Sequence, residues 1–192
     1  DQKEKHNIKE KYNINKKALI VSFIGRFSKE KGIDNLLYAF KELSSKRDDI
    51  ILLIIGSGEE EKWLSEFIEA NKLPAIMVKA EQKIADYFNA SDIIILPSRV
   101  DPFPLVMIEA GYLKKAFIGS RVDGIMEFIE DKTDGILISP EDTKAIIQSI
   151  ELLADNKELR LRYGNKLYQK VISGYTPSKI FPKYMDIYDA AK

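Results

Sequence analysis

Short runs of apolar, β-branched residues alternate along this chain with segments whose apolar positions have helical spacing. ALIVSFIG, Ala18 to Gly25, ends in glycine and predicts a strand. Ile33 to Leu43 carries apolar residues at 33, 36, 37, 40 and 43, one face of a helix. Ile50 to Ile55 predicts a second strand, and residues 59–71 a helix with Trp63, Leu64, Phe67 and Ile68 on one side. The alternation continues with strands at Ala75 to Val78, Ile93 to Leu96, Ala116 to Gly119 and Gly135 to Ile138. Between them lie helical patterns at Ile84 to Asn89 and 105–113 and a helical turn from Met126 to Glu130. Helices over about 141–154 and 156–172 follow, then a segment from Ser178 to Ala190 carrying Phe181, Tyr184 and Tyr188. Residues 1–17 are polar and lysine-rich and read as a linker.

Six continuous apolar strands alternating with helices predict an α/β fold. Right-handed crossovers make it a doubly wound, parallel, six-stranded Rossmann-like sheet with helices on both faces, in one domain. The boundaries are a linker over 1–17, the sheet domain over 18–176 and a C-terminal helical segment over 177–192. Ligands of such sheets bind at the carboxyl ends of the strands. The loops after Ile24, Ile55, Val78, Leu96, Gly119 and Ile138 therefore matter most.

The fourth of these loops opens PSRVDPFPLVMIEAGYL, residues 97–113, around which the chain is organised. Leu105 to Leu113 is apolar except for Glu109, and a helix apolar all round is expected to be buried. A carboxylate there is costly unless hydrogen bonds reach it. Glu109 is thus a candidate acceptor for two hydroxyls of a vicinal diol such as ribose; a pair with Arg26, Arg99 or Lys31 is the ordinary alternative. A helix start offers unpaired N–H groups and a positive dipole end to a phosphate, here the amides of Leu105 and Val106. Pro104 fits the first helical turn. Asp101 is expected just outside the helix, above the mouth of the site, or as an N-cap.

The first loop, GRFSKEKG, presents Arg26 and Lys31 to an anion, with Gly25 and Gly32 freeing the backbone at its ends. It lacks the Walker A and GxGxxG spacings, and a solvated charged turn explains it equally well. In the second loop Gly56 and Gly58 permit close approach of a ligand or simply a tight turn. Asp123-Gly124 marks a surface turn before a short exposed helix at Glu127.

Composition narrows the chemistry. Thirty basic and thirty acidic residues cancel, which argues against a nucleic-acid partner held by bulk charge. There is no cysteine, which excludes thiolate nucleophiles and cysteine zinc sites. The single histidine, His6, sits in the polar N-terminal segment, against a His-based triad or metal centre. No apolar run reaches membrane-spanning length. The chain starts at Asp1, as expected of a piece of a longer protein.

The motifs GRFSKEKG, IIGSGEEEKWL, PSRVDPFPLVMIEA, GSRVDGIMEFI and DGILISPED, in this order and spacing, resemble the C-terminal, donor-binding domain of retaining GT-B glycosyltransferases of family four. The resemblance runs from about Ala18 to Tyr188. It implies transfer of a sugar from a nucleotide diphosphate sugar to an acceptor, in cell-surface polysaccharide synthesis. Arg26 and Lys31 would bind the diphosphate, as would the amides of Leu105 and Val106. Asp101 would lie beside the sugar and Glu109 would hold the ribose. Gly25, Gly56 and backbone near Met77 to Lys79 would border the nucleotide. Asp101, Arg26 and Lys31 are thereby the catalytic candidates. No metal and no cofactor besides the donor is implied. The partner is an absent N-terminal acceptor-binding half, against which the last helix would pack. Without that half the chain would have little activity. A cytoplasmic location is implied, with membrane contact only through the absent half. The sequence departs from the family pattern in having Asp at 101 and Pro at 104, and in Gly111, Lys114, Lys115 and Ala116 after Glu109. Competing readings are a nucleotide-sugar epimerase, which would need acid-base groups in the cleft, and a non-catalytic nucleotide-binding domain.

Overall fold

A computed structural model of the protein describes residues 2–79 and 84–190. Six strands form one parallel sheet: β1 (Leu19–Ile24), β2 (Ile50–Gly56), β3 (Ala75–Lys79), β4 (Ile93–Leu96), β5 (Ala116–Ser120) and β6 (Ile136–Ile138). Their order is β3-β2-β1-β4-β5-β6. β1 and β2 are in register from Leu19 opposite Ile50 to Ile24 opposite Ile55. β4 pairs with β5 from Ile93 opposite Ala116. The strands read as unbroken apolar runs because helices cover both sheet faces, leaving no solvent side that would call for alternation.

Between the strands run α2 (Ile33–Ser44), α3 (Glu61–Ala70), α4 (Ile84–Ala90), α5 (Leu105–Tyr112) and α6 (Asp123–Phe128). The chain winds outward from β1 to β3, then returns to β4 and winds the other way to β6. Right-handed crossovers in opposite directions put α2 and α3 on one face and α5 and α6 on the other. α7 (Thr143–Asp155) packs on α2, and α8 (Lys157–Gly174) packs on α5. Asp142 and Asn156 cap these two helices by accepting from the amides of Ala145 and Leu159. The core between the layers includes Phe23, Phe40, Phe88 and Phe117, all fully buried.

Two expectations fail here. The polar stretch over 1–17 is not a plain linker: Gln2–Lys11 form α1, which packs against α4. Ile8 and Ile14 are buried, Lys5 pairs with Asp92, and the Tyr12 hydroxyl lies 3.1 Å from that of Tyr87. Nor is α5 buried all round. Val106, Met107, Ala110 and Gly111 face inward, whereas Leu105 is 68% and Tyr112 57% exposed. The last helix, α9 (Pro177–Ala190), touches the rest mainly through α8 and exposes Phe181, Tyr184 and Tyr188.

Candidate functional site

The sheet reverses its winding between β1 and β4, and the loops leaving these strands flank the crevice where ligands of doubly wound sheets bind. Gly32 lets these loops meet. It has φ +66°, and a Cβ on it would lie 1.9 Å from the Pro97 carbonyl oxygen. The second loop docks on the first in the same manner. A Cβ on Gly56 would lie 1.9 Å from the Gly25 carbonyl oxygen, and the Phe27 amide donates to the Ser57 carbonyl at 2.8 Å.

Close backbone approach brings Lys31 to Asp101. The Lys31 Nζ donates to Asp101 Oδ2 at 2.6 Å, and Ser98 Oγ donates to the same oxygen at 3.2 Å. Asp101 does not stand at the mouth as expected: it is only 3% exposed. Its own amide donates to Asp123 Oδ2 at 3.0 Å. Asp123 and Glu127 are exposed as expected, but Asp123-Gly124 is not a free turn. It begins α6, with Gly124 buried so close to Pro102 that a Cβ would lie 1.9 Å from its carbonyl oxygen. Phe103 braces the same loop by stacking on Tyr175 and meeting Phe128 edge-on.

Arg99 ties the two loops together. Its guanidinium forks onto Asp34 at 2.7 and 3.0 Å and reaches Glu141 at 2.7 Å, while its amide donates to the Glu30 carbonyl at 2.7 Å. The Asp34 hydrogen bonds hold the Arg99 pKa above the ordinary value. Burial pushes the Asp34 carboxyl up, but the Arg99 fork more than offsets it and the net shift is downward. Such a group contributes stability above its unfolded pKa, and that stability is lost as pH falls through its folded one. Arg99→Met is therefore expected to destabilise the chain by about 2 kcal/mol at neutral pH, with the deficit shrinking in acid; denaturant melts at two pH values test this.

α5 starts at Leu105 with Pro104 as an extended N-cap, one position outside the first helical turn. Among the described residues no side chain caps the first amides, so those of Leu105 and Val106 are open to an anion. One turn further, Glu109 lines an apolar cavity of about 610 Å³ with Ile84, Phe88, Ile108, Tyr112 and Tyr175. Its side chain is solvent-exposed rather than trapped. The apolar walls still desolvate it and raise its pKa. It has no hydrogen-bond or ion-pair partner among the described residues. The three cations expected to pair with it are engaged elsewhere: Lys31 with Asp101, Arg99 with Asp34 and Glu141, and Arg26 with Glu59 at 3.3 Å.

Arg26 is exposed and borders a separate 400 Å³ cavity with Gly25, Gly56 and Gly58. Ile84 lines both this cavity and that of Glu109, so the two adjoin. Lys79 does not border either: it lies 4.0 Å from Glu61, at a smaller hollow that shares Gly56 with the Arg26 cavity. The structure thus joins Lys31 to Asp101 and sets Arg26, Gly25, Gly56 and Glu109 around two adjoining cavities, with Lys79 at a third, smaller hollow that meets the Arg26 cavity at Gly56. Two hydroxyls at this end of the sheet, Ser28 Oγ and Ser120 Oγ, are buried without a hydrogen-bond partner among the described residues.

The family described as Glycosyl transferases group 1 matches residues 4–170. The chain belongs to this family. It is 26% identical over 192 residues to the capsular polysaccharide biosynthesis glycosyltransferase CapM of Staphylococcus aureus, covering 98% of this chain and 50% of CapM. Its fold superposes on Anabaena Alr3699/HepE, crystallised with UDP-glucose, with a TM-score of 0.90 at 17% identity, covering 99% of this chain and 53% of that one. It also superposes on the C-terminal domain of the group 1 glycosyl transferase LpcC of Francisella tularensis, with a TM-score of 0.76 at 22% identity, covering 83% of this chain and 87% of that domain. The chain therefore spans about half the length of the relative CapM, and it has the fold of a C-terminal GT-B domain. Among the described residues no helix is long and apolar enough to cross a membrane, and no cluster of acidic or histidine side chains is arranged to hold a metal ion.

Proposed function

We propose that this chain is the donor-binding half of a glycosyltransferase that moves a sugar from a nucleotide diphosphate to an acceptor with retention of configuration. The observation that carries the proposal is the loop pair at the reversal of strand order, where Lys31 pairs with Asp101 a few residues before the uncapped start of α5. Arg26 and Lys31 then take the diphosphate with the amides of Leu105 and Val106, and stabilise charge on it as it leaves. These groups supply the positive charge without a metal. Asp101, being buried, acts as a positioning residue that aims Lys31. Glu109 accepts the ribose hydroxyls, which give its unpartnered carboxylate the hydrogen bonds the chain does not. Retention follows from the resemblance to retaining enzymes. Val100, Phe103, Leu105 and Met126 are exposed near the crevice and face an acceptor-binding half. Relatives such as CapM favour a role in cell-surface glycan synthesis; a cytoplasmic location, with membrane contact through that other half, rests on the family resemblance alone.

Titration with UDP, GDP, ADP and NAD tests this. A nucleoside diphosphate should bind, and Arg26→Ala should weaken it about tenfold. Preference for NAD, or indifference to the substitution, defeats the proposal.

Glu109 permits a sharper check. With its pKa raised on folding, the native state holds more protons than the unfolded one between the two pKa values, so stability falls as pH rises through that window. Glu109→Gln removes the penalty. It is expected to stabilise the free protein by no more than about 0.5 kcal/mol, given the exposure, while weakening nucleotide affinity about tenfold. A variant that binds normally would remove the ribose role.

A further inference from the structure

We infer that the foot of the sheet holds a second anion site, one for a small phosphate-bearing molecule. Leu19, Asp49 and Asp92 border a cavity of about 660 Å³ there. They stand at the N-terminal ends of β1, β2 and β4, the opposite end from Arg26 and Lys31. The volume suits a small ligand.

Charge imbalance marks this cavity. Among the described residues that line it, seven cationic side chains stand against two carboxylates. Both carboxylates are already engaged. Asp49 takes the Arg47 fork at 2.9 and 2.8 Å. Asp92 accepts from Lys5 and from the Ile20 amide. Beneath the rim, Lys9 is only 6% exposed, and its Nζ donates to the carbonyls of Lys16 and Ala18 at 2.7 and 2.6 Å. Lys115 donates to the Asn89 carbonyl at 2.8 Å, and Arg160 to the carbonyls of Leu153 and Ala154. None of these three has an ion-pair partner among the described residues. Burial depresses the pKa of both Lys9 and Lys115; the nearby Asp92 carboxylate offsets part of this and Lys5 adds to it, leaving a net downward shift. Recessed cations whose hydrogen bonds go to neutral carbonyls are incompletely compensated, and an entering anion offsets that cost. At the rim, exposed Lys16, Lys17 and Lys157 line the same opening and have no ion-pair partner among the described residues.

Clustered ammonium groups match the several acceptor oxygens of a phosphate better than one carboxylate. The recessed position of Lys9 and Lys115 favours a small molecule that enters over a flat bilayer surface, which would touch only the rim. The site is independent of the nucleotide reading, because it shares no residue with the crevice.

Pyrophosphate is the probe. Amide chemical shifts of the labelled chain should move saturably at residues 16–19 and 157–160, in the wild type and equally in Arg26→Ala. The charge-reversed pair Lys16→Glu and Lys157→Glu, at exposed positions that leave the fold intact, should weaken this binding by about tenfold or more. Absence of saturable shifts at those amides at millimolar pyrophosphate overturns the site. So does equal binding by the reversed pair, or sedimentation with phosphatidylglycerol vesicles in place of pyrophosphate binding.

Discussion

Lys31→Met is expected to weaken nucleoside diphosphate binding by about 10- to 100-fold, the worth of one charge-assisted contact. It should also lower stability by about 2–3 kcal/mol. Both effects come from one atom. The Lys31 Nζ is the only cation within ion-pair distance of Asp101 among the described residues, and Asp101 is almost wholly buried. Removing one partner of a buried pair leaves the other charge uncompensated, which costs more than the pair contributed. The loss is at the low end for a buried pair because the Lys31 side chain is itself 25% exposed. Among the described residues Ser98 Oγ would be the one side-chain donor left to Asp101 Oδ2. The double variant Lys31→Met with Asp101→Asn separates the two consequences. Denaturant melts should recover most of the stability, because no bare carboxylate remains. Nucleotide titration should not recover, because the ammonium is still gone. If affinity returns with stability, Lys31 serves the fold alone.

The sheet was legible because its strands are buried on both faces, so hydrophobicity alone marks them. Ile93 to Leu96 coincides with β4, and the other five strands begin or end within a residue of their runs. α1 was not legible. Its Gln-Lys-Glu-Lys beginning carries no apolar face, and it is held by Ile8, by Ile14 just beyond it and by a Lys5–Asp92 pair that spans 87 residues. The all-apolar stripe of α5 predicts burial all round. It covers the core on one side only, and the exposed Leu105 and Tyr112 have the pattern of a core residue without the surroundings of one. The site was half legible. Arg26, Lys31, Asp101 and Glu109 stand out as charges in strand-end loops, but their pairing depends on how loops meet. Nothing local in the sequence assigns Arg99 to Asp34 or the Asp101 amide to Asp123, since these contacts span 65 and 22 residues.

Gly32→Ala should cost about 3 kcal/mol and lower the melting temperature by about 6–12 °C, with loss of nucleotide binding in the same variant. A left-handed φ of +66° accounts for about 1–2 kcal/mol in any residue with a Cβ. Steric overlap adds the rest, since the new methyl would lie 1.9 Å from a backbone oxygen of Pro97, which no rotamer change relieves. The first loop would have to withdraw from the β4 loop. That withdrawal strains the Arg99 and Val100 amides off the Glu30 carbonyl and draws Lys31 away from Asp101. It also disturbs α2, because the Gly32 carbonyl accepts the Leu36 amide at 3.1 Å. Gly174→Ala is the matched control. It lies at the end of α8 with nothing within 4 Å of its added Cβ, so it should be neutral or stabilising by up to about 1 kcal/mol. Thermal melts and nucleotide titration of the two variants side by side decide the matter. Normal affinity in a folded Gly32→Ala chain would mean that contact between the first and fourth loops is not what assembles the crevice.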